Sequence, residues 1–215
     1  MIPKLIHQVF WKFTDKELDE IEAFKQHQAI TKKFCNEYGY DYRLWSLSDC
    51  EELLAEFYPE YIQLWGDFRH DIQRADFIRY LILHKYGGFY LDLDVSPLRD
   101  LKDLLNNECI FTTWSSDKHN KPYNAMMASI PNNSLFIKIC YECMLRTYEK
   151  QSMKIYDSWK GRLVFQTTGH FMLNKVVPKQ FIKKLMAVEN KSKNISDISD
   201  TAYFQDVNIS SWYNL

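Results

Sequence analysis

Residues 71–98 constrain the fold more than any other stretch of this chain. Asp71–Tyr86 repeats apolar residues at helical spacing (Ile72, Ala75, Ile78, Tyr80, Leu81, Ile82, Leu83), and Gly87-Gly88 supplies the stop. Phe89–Val95 then reads as a strand with no polar alternation until two aspartates, the pattern of a strand covered on both faces, and Ser96-Pro97 breaks it. In extended geometry Asp92 and Asp94, separated by Leu93, share one face. Carboxylates converging at a strand end repel unless a cation lies between them, and an all-oxygen pair suits Mg²⁺ or Mn²⁺. A divalent ion there predicts work on a phosphorylated or nucleotide-activated substrate.

The remaining chain alternates in the same manner. Ile2–Trp11 is short, apolar after Pro3 and rich in β-formers, as in a buried first strand; His7 and Gln8 can face a site at its end, although a lone His is more often structural. Lys12–Phe34 carries helical spacing through Leu18, Ile21, Phe24, Ile30 and Phe34, and Gly39 ends it before a strand at Asp41–Trp45. This β-α-β order predicts an α/β fold with a mostly parallel central sheet flanked by helices. Ser48 or Asp49 is expected to cap a helix running to about Tyr58. After Pro97, a short helix through Leu98–Leu105, strands at Cys109–Trp114 and Asn124–Ile130, and a helix over Ser134–Tyr148 follow. Leu163–Phe165 reads as strand-like, with Thr167-Thr168-Gly169-His170 at a possible helix start. Basic residues in Lys179–Asn194 read as a solvated face, and the terminal SSWYNL is expected to pack back on the domain. No repeat or linker divides the chain, so residues 1–215 are expected to form one domain.

Composition narrows the function. At 215 residues and 46% hydrophobic content the chain can bury a core, and a formal net charge of -1 gives no reason to expect nucleic-acid binding. Five cysteines without a second CxxC argue for reduced thiols rather than a zinc module. Without a signal-like apolar segment or a stretch of roughly 20 apolar residues, a soluble cytoplasmic domain without a transmembrane segment is expected. Asp76 and Arg79, three apart on the helix, are surface neighbours; an ion pair and a site role are both open on spacing alone.

IPKLIHQVFW, YDYRLWS and RADFIRYLILHKYGGFYLDLDV, with weaker echoes in PLRDLKDLL, NAMMAS, TTGH and the terminal SSW, resemble glycosyltransferase family 32. The resemblance extends distantly to clostridial toxin glucosyltransferase domains. It implies a GT-A nucleotide-binding domain, a divalent cofactor (Mn²⁺ or Mg²⁺), and retaining hexose transfer from GDP-mannose or a UDP-hexose. The acceptor it implies is a hydroxyl of a glycan or glycoprotein. By position it implies that Asp92 and Asp94 hold the metal and diphosphate. It likewise implies that Asp76 and Arg79 hold donor-sugar hydroxyls and that Val9 and Phe10 line the base pocket with Trp11 beside them. Asp206 stands near where many members carry a metal-ligating His, Ala75 where a Ser is common, and His170 where a TGP-like element has Pro. Two other readings use the same residues. In a haloacid-dehalogenase-type phosphatase Asp92 would be the nucleophile and Asp94 the general acid, with Asp197 and Asp200 as a weak second motif. A non-catalytic nucleotide-sugar binding module is the other.

Overall fold

The computed structural model describes residues 1–11, 17–114, 117–150, 152–153, 160–190, 195–197 and 202–207. Among them the strands are β1 (Leu5–Val9), β2 (Asp41–Trp45), β3 (Gly88–Leu91), β4 (Val95–Pro97), β5 (Cys109–Trp114), β6 (Tyr123–Ser129), β7 (Ile182–Asn190), β8 (Ile195–Asp197) and β9 (Phe204–Asp206). The helices are α1 (Glu22–Tyr38), α2 (Leu47–Phe57), α3 (Ile62–Asp67), α4 (Asp71–Tyr86), α5 (Ser134–Lys150), α6 (Lys160–Thr167) and α7 (His170–Val176). The strands join in the order β2-β1-β3-β6-β5-β7-β9-β4, with β8 paired to β7. The α/β fold and flanking helices agree with the sequence.

The expected mostly parallel sheet is corrected to a mixed one. β1 is parallel to β2 and β3, and β5–β7 and β7–β9 are parallel. The β3–β6, β5–β6, β4–β9 and β7–β8 pairs are antiparallel. The reversal comes from the β5–β6 hairpin, whose direct connection places neighbouring strands antiparallel. A second correction concerns β3, which stops at Leu91. Asp92–Asp94 form a turn closed by Val95 N–H donating to Asp92 O at 3.0 Å, so the aspartates are not on an extended strand. Leu163–Phe165 lies inside α6, and only Lys102–Leu104 of the expected Leu98–Leu105 helix forms a single 3₁₀ turn. Ser46, rather than Ser48 or Asp49, caps α2, its hydroxyl accepting from Asp49 N–H. The basic stretch starting at Lys179 contributes β7, and the terminal SSWYNL lies outside the described residues.

Cores on both faces explain why the strands lack polar alternation. One gathers Trp45, Phe77, Tyr80, Leu81, Tyr90, Phe111 and Phe136; the other gathers Ile6, Phe34, Phe89, Leu91, Ile110 and Phe204. All five cysteines are buried and free, their thiols raised by burial. α4 is buried over ten of its sixteen residues, polar Gln73, Asp76 and Arg79 included, so its charged groups must find partners inside the domain. No helix among the described residues is long and apolar enough to cross a membrane.

The α4–β3 junction is fixed by two glycines and a histidine. Gly87 and Gly88 have φ of 64° and 88°, and a Cβ on Gly88 would collide with Leu5 O of β1. Trp45 Nε1–H donates to His7 Nδ1 at 3.1 Å, which leaves His7 Nε2–H to donate to Gly87 O at 3.0 Å. Burial pushes the His7 pKa down to about 4, so it is neutral in the folded state. Gly88→Ala should therefore lower stability by about 3 kcal/mol or more in urea denaturation, from the collision and the left-handed backbone together. The unfolded chain takes up a proton on His7 near its ordinary pKa, whereas the folded chain does so only near 4. The His7 contribution to stability is thus complete above about pH 6.5 and is lost as pH drops toward 4, by about 3 kcal/mol. Half-buried His170, also lowered to about 4, acts in the same sense, whereas Asp76 and Asp92, raised to about 6, act in the opposite one. His7→Asn should remove the His7 part alone, so that stability at pH 4.5 relative to pH 7 is about 2 kcal/mol higher than in wild type when unfolding is followed at both.

Candidate active site at the sheet centre

The parallel strands β2, β1 and β3 end at a common edge, where open α/β sheets form their ligand crevice. Gln8 of β1 ties that edge together. Its Nε2 donates to Asp92 O at 3.2 Å while its Oε1 accepts from Tyr42 Oη of β2 at 2.9 Å. Asp92 N–H in turn donates to Ala125 O of β6 at 2.7 Å, so the Asp92–Asp94 turn is held from both neighbouring strands.

The ion pair left open by spacing is not on the surface. Arg79, 3% exposed, bridges two carboxylates: Nη2 to Asp76 Oδ1 at 2.9 Å and Nη1 to Asp92 Oδ1 at 3.0 Å. Its Nη1 also donates to Asn124 O at 2.9 Å and its Nε to Ala75 O at 3.1 Å. The guanidinium lies 4.7 Å from the Tyr90 ring centroid, and Tyr90 Oη donates to Asp92 Oδ1 at 2.9 Å. Asp76 is satisfied on both oxygens: Asn124 Nδ2 donates to Oδ1 at 2.9 Å and Thr168 Oγ1 to Oδ2 at 3.2 Å. Thr168 is itself fixed by Tyr80 Oη, which donates to its carbonyl at 2.6 Å.

Burial pushes Asp76 up to about 6, against the pull of Arg79 and its two donors. Asp92 is also raised to about 6, by burial first and partly by the like charge of Asp94, while Arg79 opposes the rise. Asp94 adds a third carboxylate, close enough to Asp92 to raise it by like charge. Asp92 and Asp94 are only partly buried, so a ligand can reach both.

These properties suit a hard divalent cation at Asp92 and Asp94: oxygen donors, like charge and partial exposure. Asp206, 1% exposed, is brought near on β9; it is in register with Val95, and Val207 N–H donates to Asp94 O at 3.1 Å. Among the described residues no three acidic, His or Cys side chains form a ready metal cluster. Asn208 and Trp212, next to the position the resemblance assigns to a metal-ligating His, lie outside the described residues, as do Ser210 and Ser211.

Val9, Phe10 and Trp11 continue β1 past this edge. Val9 and Trp11 are buried in the larger core, Trp11 edge-on to Trp65 at 6.0 Å, and Phe10 is half-buried with its N–H donating to Trp45 O. Gln8 faces the site at the end of β1, as its place at the end of the first strand suggests, whereas Tyr90, Asn124 and Thr168 are not legible in the sequence as members of the network. NAMMAS and TTGH contain the last two, but polar residues at a strand start and in a turn carry no spacing that marks a partner 48 or 92 residues away. For a phosphatase, Asp92 Oδ1 is poorly placed as a nucleophile because Arg79 and Tyr90 both donate to it. Asp197 lies on β8, and Asp200 is outside the described residues.

Residues 14–111 match the family described as glycosyltransferase sugar-binding region containing DXD motif. Inositol phosphoceramide mannosyltransferase 3 of Schizosaccharomyces pombe is 40% identical over 105 residues, covering 49% of this chain and 28% of its own length. Mannosyl phosphorylinositol ceramide synthase SUR1 of Saccharomyces cerevisiae is 30% identical over 183 residues, covering 84% of this chain and 43% of its own. This chain therefore spans about a quarter to less than half the length of these two relatives. The solved structure of PaToxG glycosyltransferase shares the fold, with a TM-score of 0.51 at 14% identity over 81% of this chain and 68% of that one. The chain thus has the α/β fold of a GT-A-type glycosyltransferase domain, and over residues 14–111 it is similar to the DXD-containing sugar-binding region, as it is in sequence to the fungal mannosyltransferases.

Proposed function

We propose that this domain is a metal-dependent, retaining glycosyltransferase that moves a hexose from a nucleotide-sugar donor to an acceptor hydroxyl. The observation that carries the proposal is the Asp76–Arg79–Asp92 bridge, which fixes two carboxylates beside a partly exposed aspartate turn at the strand edge. The donor class is GDP-mannose or a UDP-hexose, and the names of the fungal relatives favour mannose. The acceptor is a glycan or glycoprotein, or a lipid headgroup of the kind those names describe.

In this reading Asp92 and Asp94 would hold Mn²⁺ or Mg²⁺. When bound, that ion would supply Lewis-acid neutralisation of the donor diphosphate. Asp76 and Arg79 orient the hydroxyls of the donor sugar, and Asn124 and Thr168 keep the Asp76 carboxylate from turning away. Val9, Phe10 and Trp11 border the base. Bond breaking builds positive charge on the sugar ring, which nearby carboxylates favour. Attack by the acceptor hydroxyl on the leaving-group face, with the departing phosphate taking its proton, retains configuration and asks the chain for orientation rather than a nucleophile.

The test is a thermal-shift and hydrolysis screen of GDP-mannose, UDP-glucose, UDP-galactose and UDP-N-acetylglucosamine with and without Mn²⁺. One donor should stabilise the protein only with metal, and Asp94→Ala should remove that shift and lower turnover by about 100-fold or more. Full turnover in Asp94→Ala would sink the assignment. Arg79→Met should cost about 3 kcal/mol or more in denaturant unfolding, because it strands Asp76 and Asp92 without their shared cation.

A further inference from the structure

Beside this site lies an aromatic patch that the donor chemistry does not use. His170 opens α7, and its ring centroid is 4.4 Å from Phe165, 4.5 Å from Phe171 and 5.5 Å from Tyr123. Phe165 and Phe171 are 5.5 Å apart. Phe165, His170 and Phe171 belong to neither core; Tyr123 reaches the smaller core from the rim. Phe171 is 45% exposed and the other three rings are half-buried. Leaving four aromatic rings in partial contact with water gains less than burying them, so core packing alone is a poor account of the patch.

Its position gives the patch a use. β3 and β6 are antiparallel with Leu91 opposite Met126, and the Asp92 N–Ala125 O bond extends that pairing. Tyr123 directly precedes Asn124, whose amide holds Asp76 and whose carbonyl accepts from Arg79. On the other side, His170 follows Gly169 and Thr168, whose hydroxyl holds Asp76. Two separate stretches of backbone thus tie the rings to the Asp76 end of the cluster. His170 is neutral at ordinary pH, since burial and nearby Lys121 push it down to about 4, so it offers an uncharged ring with hydrogen-bonding nitrogens.

We infer that Tyr123, Phe165, His170 and Phe171 form a stacking platform for a polyhydroxylated six-membered ring of the acceptor. The C–H face of such a ring packs on aromatic faces while its hydroxyls meet polar groups at the edge, the mixture that ligand sites use. The inference rests on the glycosyltransferase reading for the word acceptor, but ring binding itself does not depend on turnover. A hexose and a cyclitol present the same chemistry, so both are needed as probes.

Saturation-transfer NMR with methyl α-D-mannopyranoside and with myo-inositol, without donor, reads the platform directly. Wild-type protein should transfer saturation to the ring C–H protons of at least one probe, and the stronger probe identifies the source of the ring. Phe171→Leu, an exposed change that keeps an apolar side chain but removes the ring, and His170→Ala should each weaken that binding about tenfold. Phe171→Trp should retain it. Melting temperatures of the variants separate lost stacking from lost folding, and Phe171→Trp against Phe171→Leu decides the matter if His170→Ala unfolds. No transfer to either probe in wild-type protein, or equal transfer in Phe171→Leu and wild type, overturns the platform. Absence of donor hydrolysis beside intact probe binding would instead overturn the proposed activity.

Discussion

The Arg79 guanidinium is the point on which the site depends. It is a buried cation shared by one carboxylate from its own helix and another from the turn after β3. A buried charge survives only when its partners are in place, so α4, β3 and the start of β6 can occupy only one mutual arrangement. Tyr90 closes the cage from above with its ring and from the side with its hydroxyl. The same contacts that settle this charge fix the directions of the carboxylates, which makes site geometry a product of folding electrostatics.

The glycine pair does the mechanical part of that work. Leu5 O lies so close to Gly88 that no side chain fits, and the backbone of β3 therefore pairs with β1 directly after the helix ends. His7 then occupies the space between Trp45 and the Gly87 carbonyl and links three elements through its two ring nitrogens. A helix C-terminus is placed relative to a strand with little freedom left, and Asp76 and Arg79 inherit that placement.

Much of this was legible in the sequence, for physical reasons that differ by element. α4, β2 and β5 show their bounds because hydrophobic period, glycine stops and aromatic runs are local signals. The pairing of Asp76 with Arg79 follows from helical geometry, but their burial does not, since spacing says nothing about what covers a helix face. The extended reading of Asp92–Asp94 failed because a continuous apolar run carries no mark of where hydrogen bonding stops. Leu163–Phe165 failed for a related reason: three apolar residues fit either period. Thr168 and Asn124 act across long sequence separations that only the folded chain closes.

The link between β3 and β4 is only the Asp92–Asp94 turn, yet β3 sits near the middle of the strand order and β4 at its end. A sheet can satisfy both facts only by curling until its last strand comes back beside its centre. Asp92 therefore belongs mechanically to the middle of the sheet, and Asp94, whose carbonyl accepts from Val207, to its returning edge. The gap between the two carboxylates becomes a gauge of how tightly the sheet is curled, so a change in the packing of β9 can alter their spacing while both aspartates stay in the chain.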